Sequence, residues 1–190
     1  MTTSRLEAFT DGVLAIIITI MVFQLKAPEE TNLEALFPKA GVFVSYLISF
    51  IYVGIYWNNH HFLFQYIEKV TGKILWANLH FLFWLSLIPF TTSWVGENHL
   101  DDSPLALYGF TLLMCGISFV ILQMVIIREH DKYFESKIII NLKNYQRLSL
   151  LIYSIGILLS FYAPVVAVVF YVTPAILKIY SQIYHQKKLI

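Results

Sequence analysis

The first apolar segment of the chain, Arg5–Leu25, carries three ionisable residues at its start: Arg5, Glu7 and Asp11. Asp11 lies about 9 Å beyond Arg5 along a helix, at a rise of about 1.5 Å per residue. A carboxylate at that depth in a membrane is costly unless it faces protein or water. Two kinds of chemistry would account for it: a tie to hydrogen-bond donors on a neighbouring helix, or direct contact with a transported ion.

A stripe of aliphatic, hydroxyl and aromatic side chains follows on one side of the same predicted helix: Ile16, Thr19, Ile20 and Phe23. The stripe extends back through Gly12 to Phe9. Asp11 lies roughly 140° round the helix from Ile16, so the charge and the stripe need not face the same neighbour. Periodicity alone fits lipid contact or packing within a helix bundle.

The residues just before this segment predict where the helix starts. The sequence Ser-Arg-Leu-Glu at Ser4–Glu7 fits a capping box, in which the Ser hydroxyl accepts from the amide of Glu7 and the carboxylate reaches back. We therefore expect the helix to begin at Arg5, with Arg5 and Glu7 near the lipid headgroups.

The composition indicates an integral membrane protein. Of the 190 residues, 58% are hydrophobic and 13% are charged, and the mean hydropathy is +0.67. A soluble chain of this length could not bury so much apolar surface. The net charge of +1 gives no basis for nucleic-acid binding. Nucleophile elbows, phosphate-binding glycine loops and His-Glu metal motifs are absent from the sequence, so we expect neither an enzyme nor a bound cofactor.

Hydropathy predicts six helices that cross the membrane within one domain of residues 1–190. The first four are Arg5–Leu25, Ala40–Trp57, Ile74–Val95 and Leu105–Ile127. The last apolar stretch is either one helix kinked at Pro164 or two short helices, Leu148–Tyr162 and Val165–Tyr180.

The placement of cations favours six spans with both termini in the cytoplasm, because Lys and Arg concentrate on cytoplasmic loops. Only Lys26 and Lys39 would then be outside. The other eleven cations would be inside: Arg5, Lys69, Lys73, Arg128, Lys132, Lys137, Lys143, Arg147, Lys178, Lys187 and Lys188. Five spans would move three C-terminal lysines outside. The longest loop, 128–147, could form an interfacial helix through Ile138–Ile140.

Proline and histidine add two further expectations. Pro89 predicts a kink in the third span, which hydroxyls of Thr91, Thr92 and Ser93 could repair. His60 and His61 point in different directions on a helix and cannot chelate a metal together. His61 and His80 could in principle be axial haem ligands, although the chain has neither a second such pair nor an attachment motif.

The segment RLEAFTDGVLAIIITIMV resembles the Arg-x-x-x-Phe-Ser-Asp signature of the transmembrane protein 175 family of potassium channels. Arg5, Phe9 and Asp11 match this signature, and Thr10 replaces its serine but keeps the hydroxyl. YWNNHH at Tyr56–His61 and NLHFLFWLSLIPFTTSWVG at Asn78–Gly96 resemble the ends of that family's second and third helices.

This resemblance implies an all-α homotetramer in the cell membrane, with K⁺ as the permeant ion. The first helix of each subunit would line the pore, with Ile16 at the constriction, Thr19 near it, and Ile20 and Phe23 on the same side. Arg5, Phe9, Thr10 and Asp11 would tie that helix to the second and third. The candidate partners of Asp11 are Trp57, Asn58, His61, Asn78 and His80.

The expected function is a cation channel with moderate preference for K⁺ over Na⁺. An intact helix uses its carbonyls internally, so selectivity would come from pore diameter, partial dehydration and the Thr19 hydroxyls. The main alternative is a secondary transporter of small cations or protons, although such proteins usually show paired halves and broken helices. A structural or haem-carrying membrane protein is a third possibility.

Overall fold

The computed structural model describes residues 2–65, 67, 69–98, 100–130 and 136–186, with side chains described for all of these except 136–144 and 181–186. Every regular element in these ranges is a helix. The α-helices are α1 (Thr3–Phe23), α2 (Ala40–Phe64), α3 (Gly72–Ser86), α4 (Ile88–Glu97), α5 (Asp102–Glu129), α6 (Ser136–Ser160) and α7 (Pro164–Gln186), and a short 3₁₀ helix, Leu33–Lys39, precedes α2.

The predicted capping box at Ser4–Glu7 is wrong. The helix α1 begins at Thr3, Thr2 occupies the cap position, and Ser4 lies inside the first turn. The start of α1 is held by a tertiary contact, because the Thr3 hydroxyl donates to the carbonyl of Ile67 at 3.1 Å. The start of α1 is therefore tied to the α2–α3 connection, and no side chain in the described part of the chain caps it locally.

The third predicted span is broken into α3 and α4, which confirms the kink expected from Pro89. Pro89 has no amide hydrogen, so the ladder cannot continue to the carbonyl four residues earlier. The break falls at Leu87, and the Thr91 hydroxyl lies 3.3 Å from the carbonyl oxygens of both Leu87 and Ile88. Only Thr91 among the three predicted hydroxyls bonds within the break, because Thr92 bonds Ser49 and Ser93 bonds Glu97.

The C-terminal apolar stretch forms two helices, α6 and α7, rather than one kinked helix. Pro164 starts α7, a position where its fixed φ is favourable and its missing amide hydrogen costs nothing. The ring of Tyr171 fills a notch against α5 and α6, where Gly109 and Gly156 leave room for it. The Tyr171 hydroxyl lies 2.9 Å from the hydroxyl of Ser160. Lys132, Lys187 and Lys188 and the side chains of Lys137, Lys143 and Ile138–Ile140 lie outside the described residues.

Helices α2, α4 and α5 pack around buried hydroxyl groups as well as apolar side chains. The Ser49 hydroxyl lies 2.7 Å from that of Thr92 and 3.0 Å from that of Tyr108. The Tyr153 hydroxyl donates to that of Tyr52 at 3.1 Å. Buried polar groups are expensive unless paired, so these bonds allow polar residues inside a membrane bundle.

Four helical segments of the described chain are long and apolar enough to cross a membrane: Thr3–Phe23, Leu33–Phe64, Gly72–Glu97 and Asp102–Glu129. The apolar part of α7, Pro164–Tyr180, is shorter. This confirms an all-helical membrane fold at the level of these four segments.

Contacts between helix ends define two ends of the bundle. The start of α1 meets the α2–α3 connection at Ile67, and Lys73 at the start of α3 bonds Glu129 at the end of α5. We call this side, which also carries Lys69 and Arg128, the N-terminal end of the bundle. At the opposite end Gly96 of α4 packs closely against the backbone of α2 at Val42.

Candidate pore helix and its anchoring network

Helix α1 divides into a packed face and an exposed face within one subunit. Its buried residues recur at helical spacing and contact the rest of the subunit: Leu6, Thr10, Leu14, Ile17 and Met21. The predicted stripe lies on the other side, where Ile16 is 60% exposed, Ile20 45% and Phe23 78%. The stripe is therefore not packed against its own subunit.

Small and polar side chains continue this exposed face. Nothing lies within 4 Å of the point where a Cβ on Gly12 would sit. The Thr19 hydroxyl donates to the carbonyl of Ala15 in its own helix at 2.8 Å and is exposed. Because that bond uses the only hydroxyl proton, the Thr19 oxygen presents its free lone pairs outward as an acceptor.

A buried chain of hydrogen bonds fixes α1 to α3 and α2. The Asn78 side-chain amide donates to the Thr10 hydroxyl at 2.9 Å, and its carbonyl oxygen lies 3.0 Å from Nε2 of His60. Thr10 and Asn78 are completely buried and His60 is 1% exposed. Since the Asn78 oxygen only accepts, this pairing assigns the proton to Nε2 of His60.

Asp11 forms a second contact between α1 and α2, on the part of the α1 surface that is exposed within one subunit. The indole Nε1 of Trp57 donates to Oδ1 of Asp11 at 3.0 Å. Trp57 is one of the five candidate partners predicted for Asp11. Within the subunit Asp11 is exposed, and its neighbour Thr10 is buried instead. Adjacent residues point about 100° apart on a helix, so only one of the two can face the core.

The remaining predicted residues lie on exposed surfaces of the subunit. Nδ1 of His61 is 3.7 Å from Oε1 of Glu7, and the His61 ring stacks on Trp57. Nε2 of His80 accepts from the indole of Trp84 at 3.1 Å. The others, Arg5, Phe9 and Asn58, are exposed.

His60 is the network residue that sequence reasoning missed. The signal was present, because Ser49, Tyr52, Tyr56 and His60 follow one another at helical spacing and form the buried face of α2. His60 stacks on Phe64 with ring centroids 4.0 Å apart, which leaves only its nitrogen edge for Asn78. Among the residues with described positions, no group of three or more His, Cys, Asp or Glu is arranged to hold a metal ion.

Comparisons with known proteins connect this arrangement to a family. The model of the family described as "Endosomal/lysosomal potassium channel TMEM175" matches residues 5–89, which include the whole network of Thr10, Asp11, Trp57, His60 and Asn78. A potassium channel of Chryseobacterium sp. is 51% identical over 177 residues, covering 93% of this chain and 92% of the relative.

More distant relatives are also potassium channels. A potassium channel of Streptomyces collinus is 32% identical over 120 residues, covering 60% of this chain and 58% of that protein. The crystal structure of a lysosomal potassium-selective channel TMEM175 homolog from Chamaesiphon minutus superposes with a TM-score of 0.80 over 94% of this chain and 97% of that chain. With 24% identity, this last match shows a shared fold.

Proposed function

Because the chain belongs to the TMEM175 family of potassium channels, we propose that it forms a homotetramer whose pore is lined by the exposed face of α1. The members of this family are ion channels, not enzymes. Ile16 forms the constriction, Thr19 lies one turn away, and Ile20 and Phe23 continue the lining. The tetramer lies in the cell membrane and K⁺ is its permeant ion.

The observation that carries this proposal is that α1 has one packed face and leaves the rest of its surface uncovered within the subunit. Asp11 belongs to the uncovered surface, and the indole of Trp57 donates to it. Lipid contact along the whole surface would expose that carboxylate to hydrocarbon, which is expensive. Neighbouring subunits and a water-filled pore remove that cost and also bring four copies of Ile16 together.

Ion preference then follows from a narrow, mostly apolar passage. The backbone carbonyls of α1 are used within the helix and cannot replace the hydration shell of an ion. Selectivity therefore depends on the diameter at Ile16, on partial dehydration and on the outward-facing oxygen of Thr19. These are weak discriminators, so we expect only moderate preference for K⁺ over Na⁺. Contact between the four Ile16 side chains closes the passage sterically or by dewetting.

The network at the N-terminal end of the bundle positions the pore helix. The bonds of Thr10 and Asp11 to Asn78 and Trp57 fix the rotation of α1 about its axis, and rotation decides which residues face the pore. Arg5, Asn58, His61 and His80 are exposed within the subunit, and in this proposal they belong to the same motif network.

The topology that we propose has six spans, with α6 and α7 as the fifth and sixth and both termini in the cytoplasm. Lys69, Lys73 and Arg128 lie at one end of the bundle, as the concentration of cations on cytoplasmic loops requires. The N-terminal end of the bundle is then the cytoplasmic end.

Ile16→Asn tests the pore assignment. Purified protein is reconstituted in planar bilayers with asymmetric K⁺ and Na⁺, and current and reversal potential are recorded. We expect the variant to conduct more and to select less, because an amide at the constriction wets it. Leu47→Asn is the matched control, since Leu47 is 46% exposed but lies on α2.

Unchanged conductance and reversal potential in the Ile16 variant would show that this residue does not line the pore. Wild-type flux that saturates and is stoichiometrically coupled to a second solute would instead indicate a transporter.

A further inference from the structure

A cleft of about 500 Å³ opens at the N-terminal end of the bundle, between the start of α3 and the end of α5. It is lined by Lys73, Val125, Arg128 and Glu129. Its volume falls within the range of sites that bind small molecules or headgroups. None of these residues belongs to α1 or to the network that anchors it.

An ion pair with Glu129 fixes the position of the Lys73 ammonium group in the cleft and leaves that group exposed. Nζ of Lys73 donates to Oε1 of Glu129 at 3.0 Å, and the Lys73 side chain is 78% exposed whereas that of Glu129 is 16% exposed. An ammonium group has three N–H donors, and this bond uses one. Arg128 adds a guanidinium group with five donors, so the lining residues that the structure describes carry two positive charges and one negative charge.

The cleft is also amphipathic along the membrane normal. Val125 lies about one turn deeper along α5 than Arg128 and Glu129, so the wall is apolar toward the membrane interior and cationic toward the end of the bundle. Trp76, one turn after Lys73 on α3, is 74% exposed, which is typical of a side chain at the membrane interface.

We propose that this cleft binds the headgroup phosphate of an anionic phospholipid, with Lys73 and Arg128 donating to the phosphate oxygens and the acyl chains passing Val125. Basic pockets between transmembrane helices on the cytoplasmic side suit such headgroups, whereas a soluble phosphate has no group to place against Val125. Glu129 orients Lys73 and also opposes the anion. The orientation in the membrane rests on the proposed function, but binding itself does not require ion conduction.

The test measures binding rather than flux. Purified protein in neutral detergent is titrated with phosphatidylglycerol, and the shift of the thermal unfolding midpoint gives an apparent affinity at fixed protein concentration. Phosphatidylcholine and glycerol 3-phosphate are titrated in parallel. We expect saturable stabilisation by phosphatidylglycerol and much weaker effects of the other two, because one lacks net charge and the other lacks acyl chains.

Two substitutions in the cleft should change the affinity for phosphatidylglycerol in opposite directions. Arg128→Gln should weaken the apparent affinity for phosphatidylglycerol about fivefold, the typical worth of one basic residue near an anionic lipid surface. Glu129→Gln should strengthen it, because glutamine removes the negative charge that opposes the anion but keeps the Oε1 acceptor that orients Lys73. Lys69→Gln is the matched control, since Lys69 is an exposed cation near the same end that does not line the cleft.

The proposal is overturned if Arg128→Gln binds phosphatidylglycerol as tightly as wild type does. It is also overturned if Glu129→Gln loses as much affinity for phosphatidylglycerol as Arg128→Gln does. Equally tight binding of glycerol 3-phosphate and phosphatidylglycerol by the wild-type protein would overturn it as well. A channel without K⁺ flux that still binds the lipid would instead argue against the proposed function alone.

Discussion

Replacing Thr10 by Val removes one buried hydroxyl and tests whether the network holds the pore helix. The side-chain amide of Asn78 donates to the Thr10 hydroxyl at 2.9 Å, and both residues are completely buried. Valine has nearly the same shape, so the substitution leaves no large cavity but leaves an amide hydrogen of Asn78 without an acceptor.

The expected loss in the free energy of unfolding follows from that unpaired donor. Leaving a buried donor unsatisfied costs about 1–3 kcal/mol in proteins. Interhelical hydrogen bonds in membranes contribute less, about 0.6 kcal/mol on average, because the unfolded helices find other partners. We therefore expect Thr10→Val to lower the free energy of unfolding by about 1–2 kcal/mol. The bond between His60 and Asn78 is retained, so the loss is that of one interaction.

Thr19→Val is the matched control, because the same hydroxyl is removed from the same helix. The Thr19 hydroxyl donates to the carbonyl of Ala15 in its own helix, and it is exposed in the subunit. We expect a change below about 0.5 kcal/mol in unfolding free energy, as for surface substitutions in general. Thr19→Val should nevertheless alter the preference for K⁺ over Na⁺, because the outward-facing oxygen of Thr19 lines the proposed pore.

The assay is reversible unfolding in mixed micelles as the mole fraction of dodecyl sulfate rises, followed by circular dichroism at fixed protein concentration. A double-mutant cycle with Asn78→Leu isolates the pairwise term, which should be at least about 0.5 kcal/mol. The reasoning fails if Thr10→Val unfolds like wild type, or if Thr19→Val costs as much as Thr10→Val.

Two further substitutions test packing and assembly. Asp11→Ala should reduce the tetramer fraction in size-exclusion chromatography more than it changes ion preference, because the indole of Trp57 loses its acceptor. Asp11→Asn is the control, since it keeps an oxygen at that position. A stable tetramer with only altered selectivity would contradict this role. Gly156→Ala should lower the free energy of unfolding by about 1–3 kcal/mol in the same micelle assay, because the added Cβ would lie 2.6 Å from Cε1 of Tyr171. Gly12→Ala is the control, since nothing in the described chain lies within 4 Å of its Cβ position. Equal effects of the two substitutions would refute the explanation.

Local patterns predicted a large part of this structure. The resemblance carried by Arg5, Phe9 and Asp11 is confirmed by the family match over residues 5–89 and by the 51% identical potassium channel. The break at Pro89 was also predictable, since it follows from one missing amide hydrogen. The pore-lining role of Ile16, Thr19, Ile20 and Phe23 stays a prediction, as do the tetramer and the six spans.

Other features depended on contacts between residues distant in the chain. The Ser4–Glu7 pattern predicted a local cap, but the hydroxyl that holds the start of α1 belongs to Thr3 and reaches Ile67. His61 was one of the five candidate partners of Asp11, but the histidine that bonds Asn78 is His60, because the buried face of α2 runs through Tyr52 and Tyr56.

The sequence alone determined that this chain is a helical membrane protein, because hydropathy sums over neighbouring residues and needs no knowledge of packing. The resemblance to a potassium channel family came instead from the short motif at Arg5, Phe9 and Asp11. Tertiary structure decided which side of each helix is buried. Thr10 and Asp11, like His60 and His61, are adjacent in the chain but point about 100° apart, and only the neighbouring helices select which one is buried. That choice also leaves the Ile16 face of α1 uncovered.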